Sequence, residues 1–153
     1  MTKGGEARFS AEQNEPSKAP RPSKAPRPLR IIVADDDRDT VLTLMMVLRH
    51  EGHDVWGLHR AKDVVRGIKD FDPDVVILDI AMPDMSGWQA AEEICKRYGN
   101  NRPLLIAISG VFTKDPDRIL TQLVGFDHHL PKPYEPGDVL RLIAPLRYPS
   151  DSS

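Results

Sequence analysis

Cysteine is nearly missing from this chain. Cys95 is the single one among 153 residues, so no intrachain disulfide and no cysteine-held metal cluster can form. Nor is there an apolar run long enough to span a bilayer. Met1 to Ser10 lack the apolar stretch that a secretory signal requires. These absences point to a soluble, cytoplasmic protein that does not engage a membrane. The length suits one domain of ordinary size with a tail and leaves no room for a second. Hydrophobic residues make up 40%, slightly few for a compact domain, while the 14 prolines are many.

Both deviations are local. Residues 1–28 carry Lys3, Arg8, Lys18, Arg21, Lys24 and Arg27 against Glu6, Glu12 and Glu15, a net +3; the remainder carries −5, giving −2 overall. Inside this basic arm, Pro16-Ser17-Lys18-Ala19-Pro20-Arg21 is repeated residue for residue as Pro22-Ser23-Lys24-Ala25-Pro26-Arg27. Regular proline with almost no large apolar side chain buries too little surface to offset ordering. The arm is therefore expected to be disordered, with polyproline character. Basic residues without interleaved aromatics fit a solvated tether, and no nucleic-acid partner is expected.

From Leu29 onward the pattern is regular. Ile31-Ile32-Val33-Ala34 ends in Asp35, Val75-Val76-Ile77-Leu78 ends in Asp79, and Leu104-Leu105-Ile106-Ala107-Ile108 ends in Ser109. Runs that are apolar at every position suit strands covered by helices on both faces. His53–Leu58 and Asp127–Leu130 are weaker strand candidates. Between them, Val41, Leu44, Met45 and Leu48 recur at helical spacing before Gly52. The same holds for Val64, Val65, Ile68 and Phe71, and for Trp88, Ala91, Ile94, Cys95 and Tyr98 before Gly99. Ile119, Leu120, Leu123 and Val124 precede Gly125, and Val139, Leu140, Ile143 and Leu146 close the series behind Pro136. Five strands alternating with five helices imply an α/β fold with a doubly wound parallel sheet and right-handed crossovers.

In such a sheet, ligands bind beyond the carboxyl ends of the strands, where the strand order reverses. Asp35-Asp36, Asp79 and Ser109 stand at those ends. If the first and third strands are neighbours, three carboxylates share one small cleft and raise one another's pKa values. A hard divalent cation with oxygen ligands, magnesium above all, resolves that conflict and lets an anionic phosphoryl donor approach an anionic nucleophile. The duller role for Asp35-Asp36-Asp37 is to cap the next helix.

These residues resemble the receiver domain of two-component response regulators across about residues 29–147. The acidic pair is Asp35 and Asp36, the acceptor aspartate Asp79, the hydroxyl residue Ser109, and the Lys-Pro pair Lys132-Pro133. The stretch Leu78-Asp79-Ile80-Ala81-Met82-Pro83-Asp84-Met85-Ser86-Gly87 matches the family loop. The resemblance implies a flavodoxin-like five-stranded sheet of order 2-1-3-4-5 and an aspartyl phosphate on Asp79. The phosphoryl group would come from a phosphohistidine of a histidine kinase or histidine phosphotransfer protein. It also implies Mg2+ held by Asp36, Asp79 and the Ala81 carbonyl, with Asp35 acting through a water. Lys132 and Ser109 would contact phosphoryl oxygens, and the Lys132-Pro133 bond would be cis. His129 stands where the family usually has an aromatic switch residue. Phosphorylation would shift the surface of the fourth helix, fifth strand and fifth helix toward a downstream protein target.

Seven residues follow Leu146, so a stand-alone, single-domain receiver with a short tail at 148–153 is expected. It would be a phosphoacceptor rather than an enzyme, beyond catalysing its own phosphorylation and dephosphorylation. Two rivals remain open. Asp37-Arg38-Asp39-Thr40-Val41 meets the signature of a haloacid-dehalogenase-type phosphatase, with Asp37 and Asp39 as its acids. Alternatively, a receiver-like scaffold keeps the fold without being phosphorylated.

Overall fold

The structure is a computed structural model that describes residues 27–110 and 125–148. Most of the basic arm, the Ile119–Val124 pattern and the last tail residues lie outside the described residues. Residues Arg27–Arg147 form one compact unit. Its strands are β1 (Arg30–Ala34), β2 (Asp54–Leu58), β3 (Val75–Asp79), β4 (Leu104–Ser109) and β5 (His128–Pro131). They form one parallel sheet of order β2-β1-β3-β4-β5, as expected. The described α-helices are α1 (Arg38–His50), α2 (Ala61–Phe71), α3 (Gly87–Tyr98) and α4 (Pro136–Arg147). Among the described residues, no helix is long and apolar enough to cross a membrane.

The uninterrupted apolar runs have the cause that their composition suggested. Side chains alternate between the two faces of a strand, and each face here has its own helical cover. Ile32, Ala34, Val76, Leu78 and Leu105 pack against Val64 and Ile68 of α2 and Ala91 and Ile94 of α3. Ile31, Val33, Ile77, Ile106 and Ile108 pack against Leu44 and Leu48 of α1 and Val139 and Ile143 of α4. Each such Val, Leu or Ile contributes about 1.5–3 kcal/mol on full burial. Every position is therefore worth filling with a hydrophobe.

Small differences from the sequence-based boundaries have local reasons. β2 starts at Asp54, because His53 is buried and its Nδ1 accepts the Leu29 N–H at 3.0 Å. β5 starts at His128, because the Asp127 carboxylate is taken up by the Arg102 guanidinium and the Leu105 N–H. Pro131 lies within β5, the outer strand, where a missing donor is tolerated; the next N–H, from Lys132, bonds the Ser109 carbonyl at 2.8 Å. On α3 the buried seam is Gly87, Ala90, Ala91 and Ile94, leaving Trp88 only half-buried.

Gly57 shows how closely the layers pack. A Cβ there would stand 2.4 Å from Met45 Sδ and 2.6 Å from Val41 Cγ1, so its hydrogen lets α1 settle on β2.

Candidate functional site

The register brings Ala34 opposite Leu78, so the two residues that follow, Asp35 and Asp79, reach the same rim on adjacent strands. Both are buried at 3% exposure, whereas Asp36 is exposed. One carboxylate oxygen from each of Asp35, Asp36 and Asp79 lies within 4.8 Å of the others. The convergence expected from the strand ends is present.

Hydrogen bonds fix both buried acids. The Ala81 N–H donates to Asp79 Oδ1 at 3.0 Å, and the Asp37 N–H donates to Asp35 Oδ1 at 2.9 Å. From the far side of the sheet Lys132 extends its ammonium to 3.2 Å from Asp79 Oδ2 and 3.4 Å from Asp35 Oδ2. Burial pushes the Asp35 carboxyl above its ordinary value, and the nearby Asp79 charge adds to that, against the Asp37 N–H and Lys132. Burial opposes the Lys132 charge, but the Asp79 and Asp35 carboxylates outweigh it and hold the ammonium above its ordinary pKa. Among the described residues the cluster is short of positive charge, with Lys132 the one ammonium beside three carboxylates.

That donor set fits a hard divalent cation. It consists of oxygens only, two of them on buried carboxylates whose mutual repulsion a cation would relieve, and one on an exposed carboxylate open to solvent.

Asp37 has a different occupation. It caps α1, accepting from the Asp39 N–H at 3.2 Å and the Thr40 hydroxyl at 2.7 Å, and the Thr40 bond leads the causes that lower its pKa. Of the three consecutive acids, only Asp37 takes the capping role. Asp39 follows in the first turn of the helix and is exposed.

Ser109 ends β4, one step beyond Ile108, the register partner of Asp79. It is half-buried, and its carbonyl holds the Lys132 N–H. The Lys132-Pro133 peptide bond is cis. Ala81 is exposed in the loop after β3, and His129 is exposed on β5 beside Ala107.

Two contributions were not legible beforehand. A Cβ on Gly87 would lie 2.5 Å from the Asp79 carbonyl oxygen and 2.7 Å from Ile80 Cα, so only glycine lets α3 start against the end of β3. The Gly87 N–H completes that contact on the Ile80 carbonyl at 2.8 Å. The second is His59, just past β2, whose Nδ1 lies 3.2 Å from the Asp35 backbone oxygen. Its place at the same sheet rim was the available signal, and rim position alone does not reveal a contact.

Comparison with known proteins settles the family. A family model for the response regulator receiver domain matches residues 31–144. This chain belongs to the receiver-domain family. Receiver domains are signalling switches and in general not enzymes. A CheY-like receiver domain protein from Methanospirillum hungatei is 27% identical, with 76% of this chain and 91% of that one covered at a TM-score of 0.68. The N-terminal domain of an uncharacterized protein from Wolinella succinogenes is also 27% identical, covering 75% of this receiver and 90% of that chain, with a TM-score of 0.67. The CheX-CheY-BeF3-Mg2+ complex from Borrelia burgdorferi matches in fold, at 24% identity, 78% and 89% coverage and a TM-score of 0.67. In this receiver the acidic cluster and Lys132 occupy the rim described above.

Proposed function

We propose that Asp79 is the phosphoacceptor of a two-component phosphorelay in the cytoplasm. The donor is a phosphohistidine on a histidine kinase or histidine phosphotransfer protein. The observation that carries this reading is the meeting of Asp79 with Asp35 and the Lys132 ammonium at one rim, within 3.4 Å of that ammonium.

An Asp79 carboxylate oxygen forms the new O–P bond while the donor's P–N bond breaks, and the departing imidazole nitrogen keeps the electron pair and takes up a proton. The Ala81 N–H on Oδ1 holds the nucleophile's orientation, which is most of what phosphoryl transfer asks of a protein. Lys132 neutralises charge on a phosphoryl oxygen, and the Ser109 hydroxyl bonds another. Asp36, Asp79 and the Ala81 carbonyl would hold Mg2+, with Asp35 acting through a water. When bound, Mg2+ neutralises the crowded carboxylates and the incoming phosphoryl group.

Once Ser109 is drawn toward the phosphate, the end of β4 moves with it. The surface that includes β5 and α4 shifts population toward a form that a downstream protein binds. His129, exposed on β5, lies where that shift would be reported. Asp37 and Asp39 do not serve as a phosphatase pair in this reading, since the first is engaged as a helix cap.

Incubation with Mg2+ and acetyl phosphate, followed by intact-mass measurement, tests the proposal. One labile adduct per chain is expected, lost in Asp79→Asn and removed by alkaline hydroxylamine. Absence of an adduct from both acetyl phosphate and a cognate phosphodonor would leave the scaffold reading.

A further inference from the structure

The Asp35 backbone is gripped on both sides by the end of β2. Its N–H donates to the Leu58 carbonyl at 3.2 Å, and its own carbonyl oxygen lies 3.2 Å from His59 Nδ1. A carbonyl can only accept, so the proton of this bond sits on Nδ1. In a neutral imidazole, Nε2 is then the acceptor nitrogen.

The carbonyl in question belongs to the peptide that joins Asp35 to Asp36. Its plane sets where both side chains leave the backbone. Asp35 is buried beside Asp79 and Asp36 is exposed, yet their carboxylate oxygens come within 4.8 Å of each other. Two consecutive side chains of an extended strand point apart. Their convergence therefore depends on the turn taken at this one peptide, directly after β1 ends at Ala34. The Asp37 N–H returning to Asp35 Oδ1 at 2.9 Å tightens the turn from one side. His59 tightens it from the other, and it is the only described side chain bonded to that carbonyl.

We infer that His59 is a positioning residue for the acidic centre: by donating Nδ1–H to the Asp35 carbonyl it holds the Asp35–Asp36 peptide so that both carboxylates face one cation. This rests on the reading of the rim as a Mg2+ site. Groups that orient metal ligands affect affinity without touching the ion, and losing one costs roughly 10–100-fold. His59 is half-buried at the surface end of the sheet, so its replacement removes little packing.

The test compares the wild type with His59→Leu, which lacks the donor, and His59→Asn, whose amide nitrogen stands near the Nδ1 position. Calorimetric titration with Mg2+ alone is expected to show roughly a tenfold weaker affinity in His59→Leu, with most of it restored in His59→Asn. Without metal, His59→Leu is expected to lose only the few degrees of thermal midpoint that one hydrogen bond contributes, whereas a purely structural role would lower that midpoint and leave the Mg2+ affinity unchanged. Nitrogen NMR of the metal-free wild type at about pH 8 is expected to show His59 protonated on Nδ1. Equal Mg2+ affinity in wild type and His59→Leu would overturn the role of His59 and leave the metal site standing. A proton on Nε2 would overturn the hydrogen bond itself. A wild type that binds no Mg2+, with Nδ1 protonated, would overturn the reading of the rim and this inference with it.

Discussion

The Lys132 ammonium lies 3.2 Å from Asp79 Oδ2, although 53 residues separate the two in the chain. Lys132 also reaches Asp35, so one cation serves two buried carboxylates. Lys132→Ala would leave them facing each other. Losing one partner of a buried ion pair costs about 3–5 kcal/mol, and the one-third exposure of Lys132 reduces that to about 1–3 kcal/mol here. Urea unfolding in EDTA is expected to show this loss, and added Mg2+ is expected to recover most of it. An equal loss with and without Mg2+ would contradict the shared-charge account.

Asp35 supplies a pH signature. Burial holds its folded-state pKa above the ordinary 3.8. As pH rises from 3.8 toward that higher value, the unfolded chain ionises Asp35 first, so the native state binds more protons and loses stability. Asp35→Asn removes this cost. The stability of the variant relative to wild type, measured without metal, is expected to climb from pH 3.8 upward and level off once the folded-state pKa is passed. A difference independent of pH would mean that Asp35 ionises normally.

Asp37 separates the phosphoacceptor from the phosphatase reading. Its side chain caps α1, and removing such a cap lowers the stability of the helix. Asp37→Ala is expected to lower the unfolding midpoint while still forming the acetyl-phosphate adduct. Loss of the adduct in a folded Asp37→Ala protein would move the chemistry to the wrong side of the rim.

At the opposite end of the sheet, His53 carries a second titration. Burial first and the Arg147 charge second push its pKa below the ordinary 6.5, against the opposing influence of Glu51 and Asp74. Below 6.5 the unfolded chain takes up a proton that the native state refuses, so stability falls as pH drops from there toward the folded-state pKa. The slope from one such group is at most about 1.4 kcal/mol per pH unit. His53→Asn offers the Leu29 N–H a neutral acceptor, and its stability is expected to be flatter with pH across that window. Parallel wild-type and variant curves would assign the slope to other groups.

Much of the fold could be read from short-range pattern. Val75 to Leu78 are apolar without alternation because helices cover both faces, and Val64, Val65, Ile68 and Phe71 recur at helical spacing because one face of α2 is buried. The acids at the strand ends were visible for the same reason, since a charge directly after a buried run stands at a rim. Element ends were less legible: Asp127 reads as strand by composition, but a guanidinium 25 residues earlier claims it.

Local periodicity in the chain was enough to specify a doubly wound sheet and to place Asp35, Asp79 and Ser109 at ends of strands, whereas Lys132 was picked out by the family resemblance. Tertiary packing alone decided which of three consecutive acids is buried, which is exposed and which caps a helix. It also decided that His59 meets the Asp35 carbonyl and that α3 presses on Asp79 through Gly87. The physical reason is separation: strand and helix preferences act over a few residues, whereas these contacts join segments tens of residues apart and exist only once the sheet has set their register.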